Sequence, residues 1–233
     1  MDTIETNRKH LLAQQTELRH VMTASGRFDE AMQLFFDQHA SLHTAQVSAP
    51  PSQDRLAERW SFEDAILDDL SEAQFRRIPD NCEHSIVWCI WHVTRIEDTA
   101  INILVADSPQ VFTQGNWQTR LGVPFGDCGN EMADEDLLKL NEAINLQALR
   151  DYRAAVGRRT RQIAAQLDEA DLKKKVDLAG IQRVLDEGAI LEPGRGVTDY
   201  WGKRDIAGLL LMPASRHSLV HLGEALLLKK RKR

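Results

Sequence analysis

Two histidines stand four residues apart in RHSLVH (Arg216–His221), within the last apolar segment of a 233-residue chain that has only 8 histidines. Imidazole adds little to an apolar core that leucine would not supply better, so the pair asks for a chemical reason. On an α-helix, residues i and i+4 lie about 40° apart around the axis and about 6 Å apart along it, so both rings can reach one ion. Glu224 follows His221 by three residues, close enough to accept an imidazole N–H and orient the ring, or to act as a ligand or base. The HxxxH pair is a weak signal alone. Ser218-Leu219-Val220 lacks the glutamate that zinc-protease helices carry inside their pair, and two polar residues on a half-exposed face would have the same spacing. A third ligand would change the meaning of the pair, and His92 is the candidate. It lies in the most apolar stretch of the chain, where an unpartnered imidazole costs roughly 1–3 kcal/mol, although a hydrogen bond to a carbonyl would also satisfy it. One histidine from one helix and two from another make a three-nitrogen site with an open position.

A second pair has the same spacing, QHASLH (Gln38–His43). His39 and His43 could join the first site, form a second one or line a polar cavity, and the frequency of short motifs favours the cavity. His84, two turns before His92, would border the pocket near the start of that helix, whereas His10 and His20 read as surface residues. Cys89, one turn before His92, fits a small buried hydrophobe better than a thiolate ligand. Cys128, in the loop GDCGN, is expected to be the more accessible thiol, with nothing nearby to lower its pKa. No Ser-His-Asp order, phosphate-binding glycine loop or zinc-ribbon spacing occurs.

The elements that must position these residues read as helices throughout. Ile4, Leu11, Leu18 and Met22 predict an amphipathic helix ending near Gly26. A second starts at Phe28, carries Met32, Phe35 and Phe36 inward, continues that stripe with His39 and His43, and ends at APPS (Ala49–Ser52). After a short piece over Ser61–Leu70, Asp80 and Glu83 have capping-box spacing before a helix expected to reach about Ala106. That helix is apolar almost all round and should be central and buried. A loop-rich connection with a short helix over Asp134–Leu140 leads to a seam of Leu149, Tyr152, Val156, Thr160, Ile163 and Leu167, the spacing of a bundle helix. A second long connection has a helical turn over Leu178–Leu185 and the glycine-rich EPGRGVTDYWG. It precedes the last helix, expected from Arg204 to Lys229 with a kink at Pro213. The expected fold is all-α: a four-helix bundle with long crossover connections and an extra N-terminal helix. It should form a single domain over 1–233, with the bundle core at about 28–229 and residues 1–26 as an extension.

Composition narrows the function classes. The chain is 42% hydrophobic and carries 29 basic and 35 acidic residues; without the terminal KKRKR, 24 basic residues face 35 acidic ones. That body repels phosphate backbones and argues against nucleic acid as a partner. The tail reads as a solvated end, and five tryptophans read as core and pocket wall. No secretory h-region is visible, and Arg95, Glu97 and Asp98 interrupt the longest apolar run, so neither export nor a membrane span is expected. Three cysteines without framework spacing agree with a reducing, cytoplasmic setting; Cys82 and Cys89 would be about 10 Å apart on a helix, too far for a disulfide.

WCIWH (Trp88–His92) and RHSLVHLGEA (Arg216–Ala225), taken in that order, resemble the DinB-like, YfiT-type family of metal-dependent four-helix-bundle enzymes. The resemblance in helix order spans about Phe28–Lys229. It implies a histidine on the second bundle helix and an HxxxH pair on the fourth, so the metal ligands would fall on His92, His217 and His221. It also implies a divalent ion such as zinc, nickel or iron and frequent homodimers. Some branches use a low-molecular-weight thiol in transfer chemistry, and others have no assigned substrate. The N-terminal helix and the two long connections depart from smaller members and put the substrate pocket in doubt. The expected activity is therefore that of a thiol-dependent transferase or a metal-assisted hydrolase acting on a small molecule. The competing expectation is a non-catalytic dimeric bundle with a structural ion or none.

Overall fold

The computed structural model describes residues 3–48, 60–80 and 84–231. Among these, the regular elements are helices, and extended backbone pairs only in an isolated bridge between Lys175 and Asp205. The long elements are α1 (Thr3–Met22), α2 (Phe28–Leu42), α3 (Ile86–Asp98), α4 (Leu146–Ala164) and a broken last rod made of α5 (Ile206–Leu211) and α6 (His217–Lys230). α3 packs against α4 and α6, while α2 touches the same two from the other side, which closes a four-rod helical bundle. α1 lies along α2 and also contacts α5 and α6.

Every residue of α3 is buried, including His92, Arg95, Glu97 and Asp98. Its start differs from the sequence expectation. Ser85 is the N-cap, its Oγ accepting the Trp88 N–H at 3.0 Å, and Glu83 and Cys82 lie outside the described residues. A serine directly before the apolar run satisfies an orphan N–H that Asp80, six residues from Ile86, cannot reach. The helix continues through a π-helical segment, Thr99–Val105, so its end near Ala106 is as expected.

α2 stops earlier than its apolar stripe implies. Arg153 on α4 donates to the Leu42 carbonyl at 3.0 Å, and His43 leaves the helix with φ −115° and ψ 163°. A side chain from another helix thus supplies the cap. The short helix Ala45–Ser48 follows, and the APPS segment lies outside the described residues.

On α4, Asn145 caps the Ala148 N–H at 2.9 Å, and Leu149, Tyr152, Val156, Thr160 and Ile163 are all buried, as their spacing predicts. The last rod starts where Asp205 accepts the Gly208 N–H at 3.0 Å. The kink expected at Pro213 takes the form of a π-helical turn, Met212–Arg216, between α5 and α6. An inserted residue of this kind rotates the side chains that follow by about 100°, which sets the facing of His217 and His221.

The long connection after α3 is fastened by buried polar groups. Arg95 donates to the Gly126 carbonyl through Nε at 3.1 Å and Nη2 at 2.5 Å, and pairs with Asp98 at 3.3 Å. Asp98 accepts the Tyr152 hydroxyl at 2.6 Å and the Val111 and Phe112 N–H groups at 2.8 Å. The Cys128 N–H donates to Ala189 at 2.8 Å, tying the two long connections together. Gly129 sits at φ +74°, and a Cβ there would be 3.2 Å from the Trp88 indole nitrogen, so glycine allows both the turn and the close approach.

Candidate metal centre

α3 and α6 bring His92, His217 and His221 together. One nitrogen of each lies within 4.8 Å of the others. Their ring centroids are 4.9 Å (His92 to His217), 5.0 Å (His92 to His221) and 4.7 Å (His217 to His221) apart. Three imidazoles bound at about 2.1 Å to one ion place their ring centres about 5 Å apart, so the cluster could hold a divalent cation. Among the described residues, no fourth His, Cys, Asp or Glu joins this group.

Hydrogen bonds fix two of the rings. His92 Nδ1 donates to the Cys128 carbonyl at 2.6 Å, which leaves the Nε2 lone pair free. His221 Nδ1 donates to Glu224 Oε2 at 2.9 Å with the same result. His217 Nδ1 is buried without a partner. Burial, then the neighbouring His221, pushes His92 down to about 3; burial and the other two rings hold His217 well below the ordinary imidazole value. Neutral imidazoles are the form that binds metal.

Glu224 is a junction. Its Oε1 lies 3.1 Å from His84 Nδ1 while Oε2 holds His221. Burial would raise its pKa, but the hydrogen bonds from His221 and His84 prevail and bring it to about 2. His84 stacks on Trp88 at 3.5 Å and 5°, and Trp88 stacks on His92 at 4.5 Å and 11°, so one column of rings connects the end of the site to its centre. The Trp88 indole N–H donates to Gly129 at 3.3 Å. Cys128 and Gly129 therefore hold the two neighbouring rings of α3 through their backbone carbonyls.

Cys128 takes a different part from the one its loop implies, whereas Cys89 is buried as expected. Cys128, expected to be accessible, is fully buried, and burial pushes its thiol up to about 11; its carbonyl is the group that meets the site. Cys89 is buried beside His221 and Glu224, and burial followed by the Glu224 charge holds its thiol well above the ordinary range.

A cavity of about 270 Å³ opens beside His217. Ile96, Val197, Trp201, Met212 and Pro213 give it an apolar wall, and Asn130 adds a buried amide oxygen without a partner. Gly196 to Trp201 come from the expected EPGRGVTDYWG connection, whereas Asn130 comes from the first long connection, just before its helix Asp134–Ala143.

His39 and His43 do not join the three-histidine group. Both are fully buried and engage Glu97, which sequence reasoning had treated only as a charge incompatible with a lipid-facing span. The signal was the same one that marked His92, a polar residue inside an apolar helix that must have a partner.

A sequence model of the DinB superfamily matches residues 55–225. Among solved structures, the crystal structure of a conserved protein from Enterococcus faecalis is similar at a TM-score of 0.57 and 19% identity, over 85% of this chain and 94% of that one. At that identity the likeness concerns the fold. No curated protein matches the chain.

Proposed function

The chain belongs to the DinB superfamily, and on that premise we propose that it is a metal-dependent enzyme in which His92, His217 and His221 hold one divalent ion, zinc, nickel or iron. The observation that carries the proposal is the convergence of three imidazoles, of which His217 lines the wall of an apolar cavity. When bound, such an ion supplies Lewis-acid chemistry that lowers the pKa of a thiol or water at the remaining position. The chain's own groups prepare the site. Cys128 fixes the His92 tautomer, and Glu224, ionised at neutral pH, holds His221 and is too weak a base to carry a proton. The apolar wall with a single unpartnered amide at Asn130 fits a small, largely apolar substrate that offers one polar group.

In the transferase form, the sulfur of a low-molecular-weight thiol would attack an electrophilic carbon in the cavity as the bond from that carbon to the leaving group breaks, the leaving group departing with the electron pair and the thiol proton passing to it through solvent. In the hydrolase form, water takes the place of the thiol. The two forms share the same residues. A single unit over 1–233, a homodimer and a cytoplasmic setting belong to the same proposal. Light scattering at twice 26.4 kDa checks the dimer. Among the described residues, no helix is long and apolar enough to cross a membrane.

The test is elemental analysis of untagged protein. His92→Ala and His217→Ala should each hold one equivalent of ion fewer than wild type; variants with wild-type metal content would end the proposal.

A further inference from the structure

Outside the three-histidine centre, the bundle encloses a second ligand set that the proposed reaction does not use. His39, on the last turn of α2, and His43, just past its end, face Glu97 of α3, and all three are fully buried. His39 Nε2 lies 2.9 Å from Glu97 Oε1, and His43 Nε2 lies 3.0 Å from Oε2. The carboxylate therefore presents one oxygen to each ring. One ligand atom of each of the three residues lies within 4.8 Å of the others, close enough to share an ion.

Protein groups alone leave this cluster poorly satisfied. With both histidines neutral, a fully buried carboxylate has two imidazole N–H donors but no cation against it, an expensive arrangement in a low-dielectric interior. The neighbouring cation, Arg153, pairs through Nε with Glu63 at 2.6 Å and through Nη2 with the Leu42 carbonyl; its Nη1 has no partner, and it makes no ion pair with Glu97. With one ring protonated, the charge is balanced, but an N–H donor is left facing nothing, because Nδ1 of both histidines has no partner. A divalent cation compensates the carboxylate directly.

The geometry accepts one. Donor atoms bound at about 2.1 Å and at right angles lie about 3.0 Å apart, the separation seen between each imidazole nitrogen and its carboxylate oxygen. The two rings are stacked with centroids 4.2 Å apart, closer than any pair in the three-histidine group. With ring centres about 3.2 Å from the ion, that spacing corresponds to a ligand angle of roughly 80°, nearer to octahedral than to tetrahedral coordination.

The chain also makes room for this arrangement. Gly157, in the middle of α4, lies against His43, where a Cβ would sit 2.6 Å from Nδ1 and 2.9 Å from Cε1. Glycine in a helix interior costs about 1 kcal/mol relative to alanine, so its place here calls for a packing reason, and the His43 ring is that reason.

We propose that His39, His43 and Glu97 form a second metal site, taking a divalent first-row ion with near-right-angled ligands, such as iron(II). It is separate from the three-histidine centre, with Glu97 five residues beyond His92 on α3. The burial of its ligands makes it a closed site that braces α2 against α3.

The test uses the full-length, untagged protein stripped of metal, reloaded anaerobically with iron(II), desalted and assayed for iron. Wild type should retain two equivalents per chain. Glu97→Gln and Gly157→Ala should each retain one, and His217→Ala should retain the other. Iron in Glu97→Gln equal to that in wild type overturns the second site. Iron lost from Glu97→Gln but unchanged in His217→Ala supports it and shows that the three-histidine centre does not hold iron; no iron in wild type overturns the second site. Should circular dichroism show that a variant fails to fold, anomalous scattering at the iron edge from loaded wild-type crystals decides. A peak between His39, His43 and Glu97 is the expected result, and an empty map there overturns the proposal.

Discussion

Protonation of buried imidazoles couples the candidate centre to stability. His92 and His43 are both pushed from 6.5 to about 3, in each case chiefly by burial. Between those values the unfolded chain binds protons that the folded chain does not, so stability rises with pH through that window and falls as the solution is acidified. From pH 6.5 to pH 5 each such histidine should cost the metal-free protein roughly 1.5 kcal/mol. Thermal melts of metal-stripped protein at several pH values check this, and a flat Tm between pH 7 and pH 5 would contradict it. Glu224 acts on the same scale. Glu224→Gln removes the charge that orients His221 and His84, and ion affinity at the three-histidine site should drop about 10- to 100-fold, the usual cost of losing an orienting carboxylate. A competition titration against a chromophoric chelator reads that change.

Among the elements, the long connection after α3 does more than join two helices. Arg95 grips Gly126, and two residues later the Cys128 carbonyl fixes His92. The guanidinium also balances Asp98, which in turn caps the helix starting at Val111. Arg95→Met therefore leaves a buried carboxylate without its cation, and should cost about 3–5 kcal/mol. Hydrogen exchange should accelerate at Cys128 and Gly129, whose carbonyls orient His92 and Trp88. Unchanged protection there would show that the connection stays in place without the arginine. The π-helical turn at Met212–Arg216 contributes in a different way, by setting the rotation of α6 relative to α5.

At the scale of the whole molecule, ions bound at the proposed sites would join rods that otherwise meet through side-chain packing and hydrogen bonds. His92 belongs to α3, and His217 and His221 belong to α6, so an ion between them links two sides of the bundle. A ligand present at 100 times its Kd adds about 2.7 kcal/mol to the stability of the state that binds it. For a chain of this size that is roughly 5–10 °C in Tm. Calorimetry of loaded protein with and without a chelator should show a fall of that order. A Tm insensitive to chelation, in protein shown by elemental analysis to have lost its ions, would mean that they do not brace the bundle.

The helical class, the central place of α3 and the inward seam of α4 were legible in the sequence because each rests on local periodicity. The spacing of His217 and His221 was legible for the same reason, and His92 was legible because an apolar helix rarely hides an imidazole without use for it. Other features depend on partners far along the chain. Arg153 ends α2 at Leu42, Cys128 offers His92 a carbonyl rather than a thiol, and Glu97 gathers His39 and His43. Periodicity shows which face of a helix turns inward, but it cannot show which inward residues meet. That is decided when four rods pack, since burial makes each polar group find a partner and leaves few within reach. The sequence by itself determined that this protein is a helical bundle with histidines in its core. The motif order already suggested His92, His217 and His221 as one set; only the tertiary structure placed His217 beside an apolar cavity and closed His39 and His43 around the Glu97 carboxylate.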